Sequence, residues 1–423
     1  MDQTASTTAA LATRCCIVGG GPAGMMLGFL LARAGVDTVV LEKHADFLRD
    51  FRGDTIHPST LEIMYELGLL EDFLRRPHNE LKQIEAQIGT ERVVVADFSH
   101  LPTRCKFIAL MPQWDFLDFL AERAGRYPSF HLKMQNEVTD LIEEEGRIAG
   151  IRVSTPGGLL QISADLVIGA DGRHSTVRQR AGLEVIDLGA PIDVLWMRIA
   201  KHPGDPPQTL GRIDTGRILV MIDRGDYWQC AFVIHKGGFE EVQRRGLPAL
   251  RDEIARLAGI ERGRLEELHD WSDIKLLTVA VDRLRRWHRP GLLCIGDAAH
   301  AMSPIGGVGI NLAIQDAVAA ANVLVPELRA DGDVSSAQLA RAQRRRELPT
   351  RLTQRMQLLI QDRVMRRVLA STGPIAPPLP VRLLRRWPFL RRIPARLLGL
   401  GFRPEHVRTP ELVAAPSRQR ADG

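Results

Sequence analysis

Apolar and polar positions along this chain repeat with two periods, and the points where the period changes mark its elements. Residues 15–21, CCIVGGG, form an apolar run that ends in glycines, and residues 22–34 follow at helical spacing. A second β-rich run, 37–41, is closed by Glu42, so the opening predicts a βαβ unit about 30 residues long. Residues 58–67 predict a helix with Gly68 as its C-cap, and 113–125 predict another that ends in glycine. From 137 to 169 the pattern turns to short strands around turns at Gly146 and 156–158. This is a meander that ends in a buried strand, 166–168. Between 186 and 281 the runs DVLWMRIA, RILVMID and YWQCAFVIH alternate, with helix only at 247–257. They predict a sheet with two distinct faces, a suitable floor for a substrate pocket. A last buried strand, 292–295, runs into Gly296 and Asp297, and a helix follows over 310–324. Beyond it the chain is helical and Arg-rich, then broken by prolines from Pro374 onward.

Composition narrows the class. At 423 residues the chain predicts two or three domains, and 45% hydrophobic with 25% charged residues is the balance of a globular protein, not of a disordered or fibrous one. No run of about 18 uninterrupted apolar residues occurs, so no spanning helix is expected. The opening MDQTASTTAALATR lacks a basic stretch followed by an apolar one, so no secretory signal is read. Cys15, Cys16, Cys105, Cys230 and Cys294 show no CxxC spacing, which predicts a reduced, cytoplasmic protein. The net charge of +5 hides an asymmetry: residues 341–403 hold 16 Arg, no Lys and two acids. The stretch after Arg403 is neutral, so residues 1–340 carry −9. An acidic body argues against nucleic acid as a partner.

Three motifs carry chemistry. Gly19-x-Gly21-x-x-Gly24 lies between a strand and a helix, where glycines allow a tight turn, a pyrophosphate against the backbone, and close helix–strand packing. The helix N-terminus offers its N–H groups to phosphate. Glu42 ends the strand that follows this helix, where a carboxylate can accept from a ribose hydroxyl. The second motif, Asp165 through Asp171-Gly172-Arg173 to Arg178, places Asp-Gly at a strand end. In the third, Gly296-Asp297-Ala298-Ala299-His300 follows another strand and continues through Pro304, Gly306, Gly307 and Gly309 to Asn311 and a helix.

In this order and spacing, over residues 14–325, the motifs resemble the FAD-dependent aromatic hydroxylases typified by para-hydroxybenzoate hydroxylase, the class A flavoprotein monooxygenases. The resemblance implies an α/β fold. A Rossmann-like FAD-binding domain (1–75, 111–185, 281–329) would carry an inserted β-rich substrate domain (76–110, 186–280), followed by a basic helical C-terminal region (330–423). It implies that Gly19, Gly21, Ala23, Gly24, Glu42 and Lys43 hold the ADP half of non-covalent FAD, and that Arg52 and Gln113 contact the cofactor. Asp171 and Gly172 would serve FAD and NAD(P)H, Gly296 and Asp297 the ribityl chain. Pro304, Gly306, Gly309, Ile310 and Asn311 would line the isoalloxazine. NAD(P)H would bind transiently, since only one GxGxxG is present. The reduced flavin would add O2 to form a C4a-hydroperoxide that hydroxylates an aromatic, phenolic or polyketide-like substrate. No ligand spacing in the sequence argues for a metal.

Other residues stay open between two readings. His57 either approaches the flavin or caps the helix at Pro58. Arg198, Tyr227, Trp228 and Gln229 sit on strands of the substrate region and face either a pocket, the core or solvent. No catalytic base is identified. The tail over 381–402 interleaves leucines with six Arg, which fits either peripheral contact with anionic lipid or short helices docked on the acidic body. A prenyl-lipid reductase resembling geranylgeranyl reductases and a flavin-binding redox scaffold are the alternative functions.

Overall fold

A computed structural model describes residues 9–48, 55–205, 210–330 and 332–412. Strand β1 (Ala9–Val18) is followed by helix α1 (Pro22–Arg33) and strand β2 (Thr38–Glu42). The end of β1 (Cys15, Cys16, Ile17 and Val18) is buried, and β2 is buried throughout. Such strands form parallel pairs covered on both faces. Helix α2 (Pro58–Glu66) and helix α3 (Gln113–Ala124) come next, then the long strand β3 (Gly158–Gly169).

β3 pairs parallel with β1 on one side and with Leu292–Cys294 on the other, while β2 pairs parallel with Phe130–Met134. The hairpin Glu137–Glu144 and Arg147–Thr155 adds antiparallel strands, giving an eight-stranded sheet among the described residues. Helix α1 is apolar on nearly all sides because it lies between this sheet and α4 (Gly309–Arg329). Met25, Leu27, Leu30 and Leu31 are fully buried there, and each such side chain contributes about 2 kcal/mol.

Among the described residues the second sheet has seven strands in the order Lys275–Leu277, β4 (Ile192–Ala200), β6 (Tyr227–His235), β5 (Arg217–Asp223), Leu210–Asp214, Gln83–Ile88 and Glu91–Asp97. One face packs on Leu247–Ala258 and on a helix the alternation did not predict, Phe239–Arg245.

One expectation changes. The helix predicted over 310–324 runs to Arg329, since its apolar face continues past Pro326 to the buried Leu328. Together with the preceding turn, Ile305–Arg329 is long and apolar enough to cross a membrane, but 78% of that apolar window is buried inside the protein. The Arg-rich region opens with one long helix, α5 (Ser336–Ile360). Ser335 caps it in a reciprocal capping box with Gln338, and it continues through Pro349. The prolines beyond Pro374 do break the chain into short pieces, α6 (Leu379–Arg386), the turn Pro388–Arg391 and α7 (Arg392–Gly399). All five cysteines are buried and free.

Candidate functional site

The first loop is built by steric necessity. Gly19 has φ +109°, and a Cβ there would lie 2.4 Å from the Ala170 carbonyl oxygen at the end of β3. A Cβ on Gly24 would lie 1.9 Å from the Gly19 carbonyl oxygen, so α1 can start this close to β1 only with glycine. Gly21 differs: nothing lies within 4 Å of where its Cβ would be. It is the N-cap of α1, no side chain caps it, and Pro22 occupies the first turn. The first-turn N–H groups of Ala23 and Gly24 have no intrahelical acceptor and face an open cradle, which fits a dinucleotide pyrophosphate. Glu42 accepts from the Gly20 N–H at 3.1 Å and from the His44 N–H at 3.0 Å, tying the end of β2 to this loop. Lys43 beside it is exposed. Gln113 opens α3 half-buried, and its side chain makes no hydrogen bond among the described residues. Arg52 lies outside the described residues.

The Asp-Gly motif turns inward. Asp171 accepts from Ser175 Oγ at 2.6 Å and from the Val177 N–H at 3.1 Å, capping the short helix Thr176–Arg180. Burial raises its pKa, and these hydrogen bonds offset part of the rise. Gly172 has φ +83° with open space around it. Arg178 reaches Asp282 with two 3.2 Å hydrogen bonds, both residues buried, and Asp282 also accepts from the Ala301 N–H, which ties this motif to the third.

In the third motif Gly296 (φ +58°) donates to the buried Asp316 Oδ2 at 3.1 Å. Half-buried Asp297 lies 3.8 Å from the Arg173 guanidinium. His300 Nε2 sits 2.6 Å from Asp316 Oδ2, so this histidine orders the loop. Arg346 of α5 donates to Asp316 Oδ1 at 3.0 Å. Burial opposes ionisation of Asp316, but His300 and Arg346 outweigh it and its pKa is lowered.

The loop from Pro304 to Gly307 keeps one partly exposed face and runs into α4, whose positive end opens at Gly309 and Ile310. Three side chains clamp this loop from α5 and its continuation. Gln354 donates to the Asp282 and Ala301 carbonyls, Gln357 to those of Ser303 and Ile305, and Gln361 to Ser303 Oγ. No motif marks these glutamines, nor Asp316 and Arg346; the i, i+3, i+7 spacing of Gln354, Gln357 and Gln361 on one helical face is the signal that does.

Asn311 uses its whole hydrogen-bonding capacity within the protein. Its Nδ2 donates to the Thr55 and Gly307 carbonyls, and its Oδ1 accepts from the His57 N–H and Thr60 Oγ1, both at 2.8 Å. Its side chain therefore shapes the loop and does not face outward from it.

This staple brings His57 to the loop at the N-cap of α2, fully buried. Its Nδ1 lies 2.7 Å from the Leu398 carbonyl oxygen. A carbonyl only accepts, so Nδ1 carries the proton and Nε2 is left with its lone pair. Nε2 is buried with no partner among the described residues. Burial lowers the His57 pKa to about 4, so the ring is neutral.

The substrate-region candidates separate by strand period. Gln229 pairs in register with Arg198 and Ile222, which puts all three on one face; Tyr227 shares it two residues away. Ile222 packs into the cluster that contains Leu398, and Leu398 would touch a Cβ on Gly306 at 2.7 Å, so this face is turned toward the third loop. Half-buried Trp196, Val220 and Ile222 occupy it beside Gln229, whose Oε1 accepts from Arg224 at 2.9 Å. Trp228 points to the opposite face, inside the cluster against Leu247–Ala258, so the two-residue period of its strand turns it away from the third loop. Arg198 is exposed, 3.9 Å over the Tyr227 ring and 3.4 Å from Asp226.

A family model described as FAD binding domain matches residues 12–356. The 6-methylpretetramide 4-monooxygenase of Streptomyces rimosus is 33% identical over 407 residues, 94% of each chain. The p-nitrophenol 4-monooxygenase of Pseudomonas putida superposes with a TM-score of 0.72 at 20% identity, covering 92% of this chain and 96% of that one. PqsL of P. aeruginosa, crystallised with 2-aminobenzoylacetate, does so with a TM-score of 0.72 at 23% identity, covering 85% and 97%. These two structures share the fold. With the family match spanning most of the chain and one relative similar from end to end, the protein belongs to the FAD-dependent aromatic hydroxylases: it is a monooxygenase with the para-hydroxybenzoate hydroxylase-like fold, and FAD is its cofactor.

Proposed function

We propose that this monooxygenase hydroxylates a fused-ring, phenolic polyketide, with NAD(P)H as a transient reductant and O2 as the oxygen source. The observation that carries the reading is the end-to-end similarity to a monooxygenase acting on 6-methylpretetramide. Half-buried Ile222, on the sheet face turned toward the third loop, offers such a ring system a branched aliphatic contact. When bound, FAD would carry the electrons of NAD(P)H to O2 and so activate it for transfer to the ring.

The residues of this chain bind, orient and exclude water. In this reading Gly21 and the first turn of α1 receive the pyrophosphate, Asp297 the ribityl hydroxyls, and the start of α4 the pyrimidine edge, where negative charge develops on reduction. His57, fully buried, ties the start of α2 to the Leu398 carbonyl and so positions the third loop beside the substrate. The division into a three-part FAD domain, an inserted substrate domain and a basic C-terminal region is part of the same proposal. Five buried, unbridged thiols are what a reducing compartment preserves, and we place the enzyme in the cytoplasm.

The test is aerobic oxidation of NADH and of NADPH by flavin-loaded protein across phenols, naphthoquinols and polycyclic aromatics, with product mass and hydrogen peroxide read from the same samples. A fused-ring phenol that accelerates oxidation and gains one oxygen with little peroxide supports the reading. Acceleration by single-ring phenols alone, or saturation of a prenyl lipid in place of oxygenation, overturns it. Asp297→Ala is expected to lose most bound flavin or its reduction; wild-type flavin content with wild-type turnover in that variant removes the ribityl assignment.

A further inference from the structure

We propose that residues 379–402 form a docking surface for the anionic face of a phospholipid bilayer. The segment lies over the edge strand Glu91–Asp97 and the turn after it. Arg385 pairs with Glu91, Arg392 approaches His100, and Ala395 and Leu400 pack with Ala96, Phe98 and Leu101. That contact covers an otherwise open sheet edge, yet it uses only part of the segment. No residue of Leu379–Arg386 is buried. Leu379 is 66% exposed, Phe389 62%, Ile393 58% and Trp387 47%.

The charges around these side chains point to one occupant. Residues 363–404 contain no Asp or Glu. Arg382, Arg386 and Arg396 are exposed, and their side chains form no ion pair or hydrogen bond among the described residues. An acidic protein partner would answer the guanidiniums but leave four protruding apolar side chains to be matched in shape. A bilayer interface takes both at once: Trp and Phe settle at headgroup depth while Arg meets phosphate. The body carries −9 over residues 1–340 and is repelled by the same surface, so only one orientation is favoured, basic segment down and acidic body away.

The position gives docking a consequence. The inner side of α7 meets the active site, through Leu398 against Gly306 and through the Leu398 carbonyl oxygen, 2.7 Å from His57 Nδ1. Docking surface and third loop are two sides of one helix. The proposal goes beyond the hydroxylation reading and does not depend on it.

The test is co-sedimentation of the full-length FAD-loaded protein with phosphatidylcholine vesicles and with vesicles of phosphatidylcholine and phosphatidylglycerol. Binding is expected to the second and not the first, and salt should release it. Arg382→Gln, Arg386→Gln and Arg396→Gln together should lower the partition coefficient roughly 100-fold, at about fivefold per arginine. Trp387→Ser, Phe389→Ser and Ile393→Ser together should lower it as well. Both triple variants should keep wild-type flavin content and melting behaviour, because these side chains are exposed. Three results overturn the proposal: no binding to anionic vesicles, binding that neither variant weakens, or self-association that the serine variant abolishes in a protein that ignores vesicles.

Discussion

At the scale of single residues, His57 carries a consequence that needs no substrate to observe. Its pKa is lowered from the usual 6.5 to about 4 by burial, with the Leu398 hydrogen bond only partly opposing that. The unfolded chain therefore takes up a proton between pH 6.5 and 4 that the folded chain refuses, and stability falls as pH drops through that window. The loss approaches about 3 kcal/mol at its acid end. His57→Gln should melt lower than wild type at neutral pH but lose less between pH 7 and 4.5. Parallel pH profiles of the two melting temperatures would refute the buried neutral ring. The glycines of the first loop make a second test. Gly24→Ala drives a methyl into the Gly19 carbonyl and should destabilise flavin-free protein by more than the roughly 0.4–1 kcal/mol by which a compatible change stabilises. Gly21→Ala meets no protein atom and leaves flavin-free stability near wild type, but it places a methyl in the phosphate cradle. Its expected effect is a loss of FAD affinity of roughly tenfold or more, read by flavin titration. Equal effects of the two substitutions on both measurements would contradict the separate roles of the two glycines.

At the scale of elements, what was legible in the sequence followed from how local its cause was. β1, α1, β2 and the three motif loops could be read from their own residues, because a buried parallel strand must be continuously apolar and a glycine forced by a neighbouring carbonyl has no substitute. The face toward which Trp228 points could not, since alternation states that two faces exist without saying which one meets the loop. That depended on Ile222 and Leu398 lying in one cluster, although the first belongs to the middle of the chain and the second to its C-terminal segment. The clamp on the third loop was hidden for a related reason: α5 reads as a basic surface helix, and its function rests on three uncharged residues among the arginines. Gln357→Leu strips hydrogen bonds from the Ser303 N–H and from the Ser303 and Ile305 carbonyls. FAD should still bind through the first loop, while the flavin visible spectrum shifts and turnover falls roughly tenfold or more from misplacement of the ring. An unchanged spectrum with unchanged turnover would mean that the clamp does not set the loop.

At the scale of the whole molecule, one buried charge network joins parts that no single element connects. Asp316 of α4 receives Gly296 of the third motif, His300 and Arg346, and Arg346 continues to Glu405 and to the Arg403 carbonyl in the C-terminal segment. Asp316, Arg346 and Glu405 are all nearly excluded from water, so each charge depends on the others being present. The pairs do not make the fold more stable than an apolar core would; their significance is that removing Arg346 leaves buried Asp316 with only His300 and the Gly296 N–H, and buried Glu405 with only the half-buried Arg345. Arg346→Met should therefore cost about 3–5 kcal/mol, far more than its methylene packing accounts for. It should also loosen the C-terminal segment that follows α7, whose Leu398 meets the third loop, so flavin content is expected to fall with the melting temperature. Asp316→Asn added to Arg346→Met removes one of the stranded charges and should recover part of that loss. Such non-additivity distinguishes a coupled network from two separate packing defects. If the double variant instead loses the sum of the two single losses, the third loop and the C-terminal segment are held independently, and docking at residues 379–402 has no structural route to the flavin loop through this network.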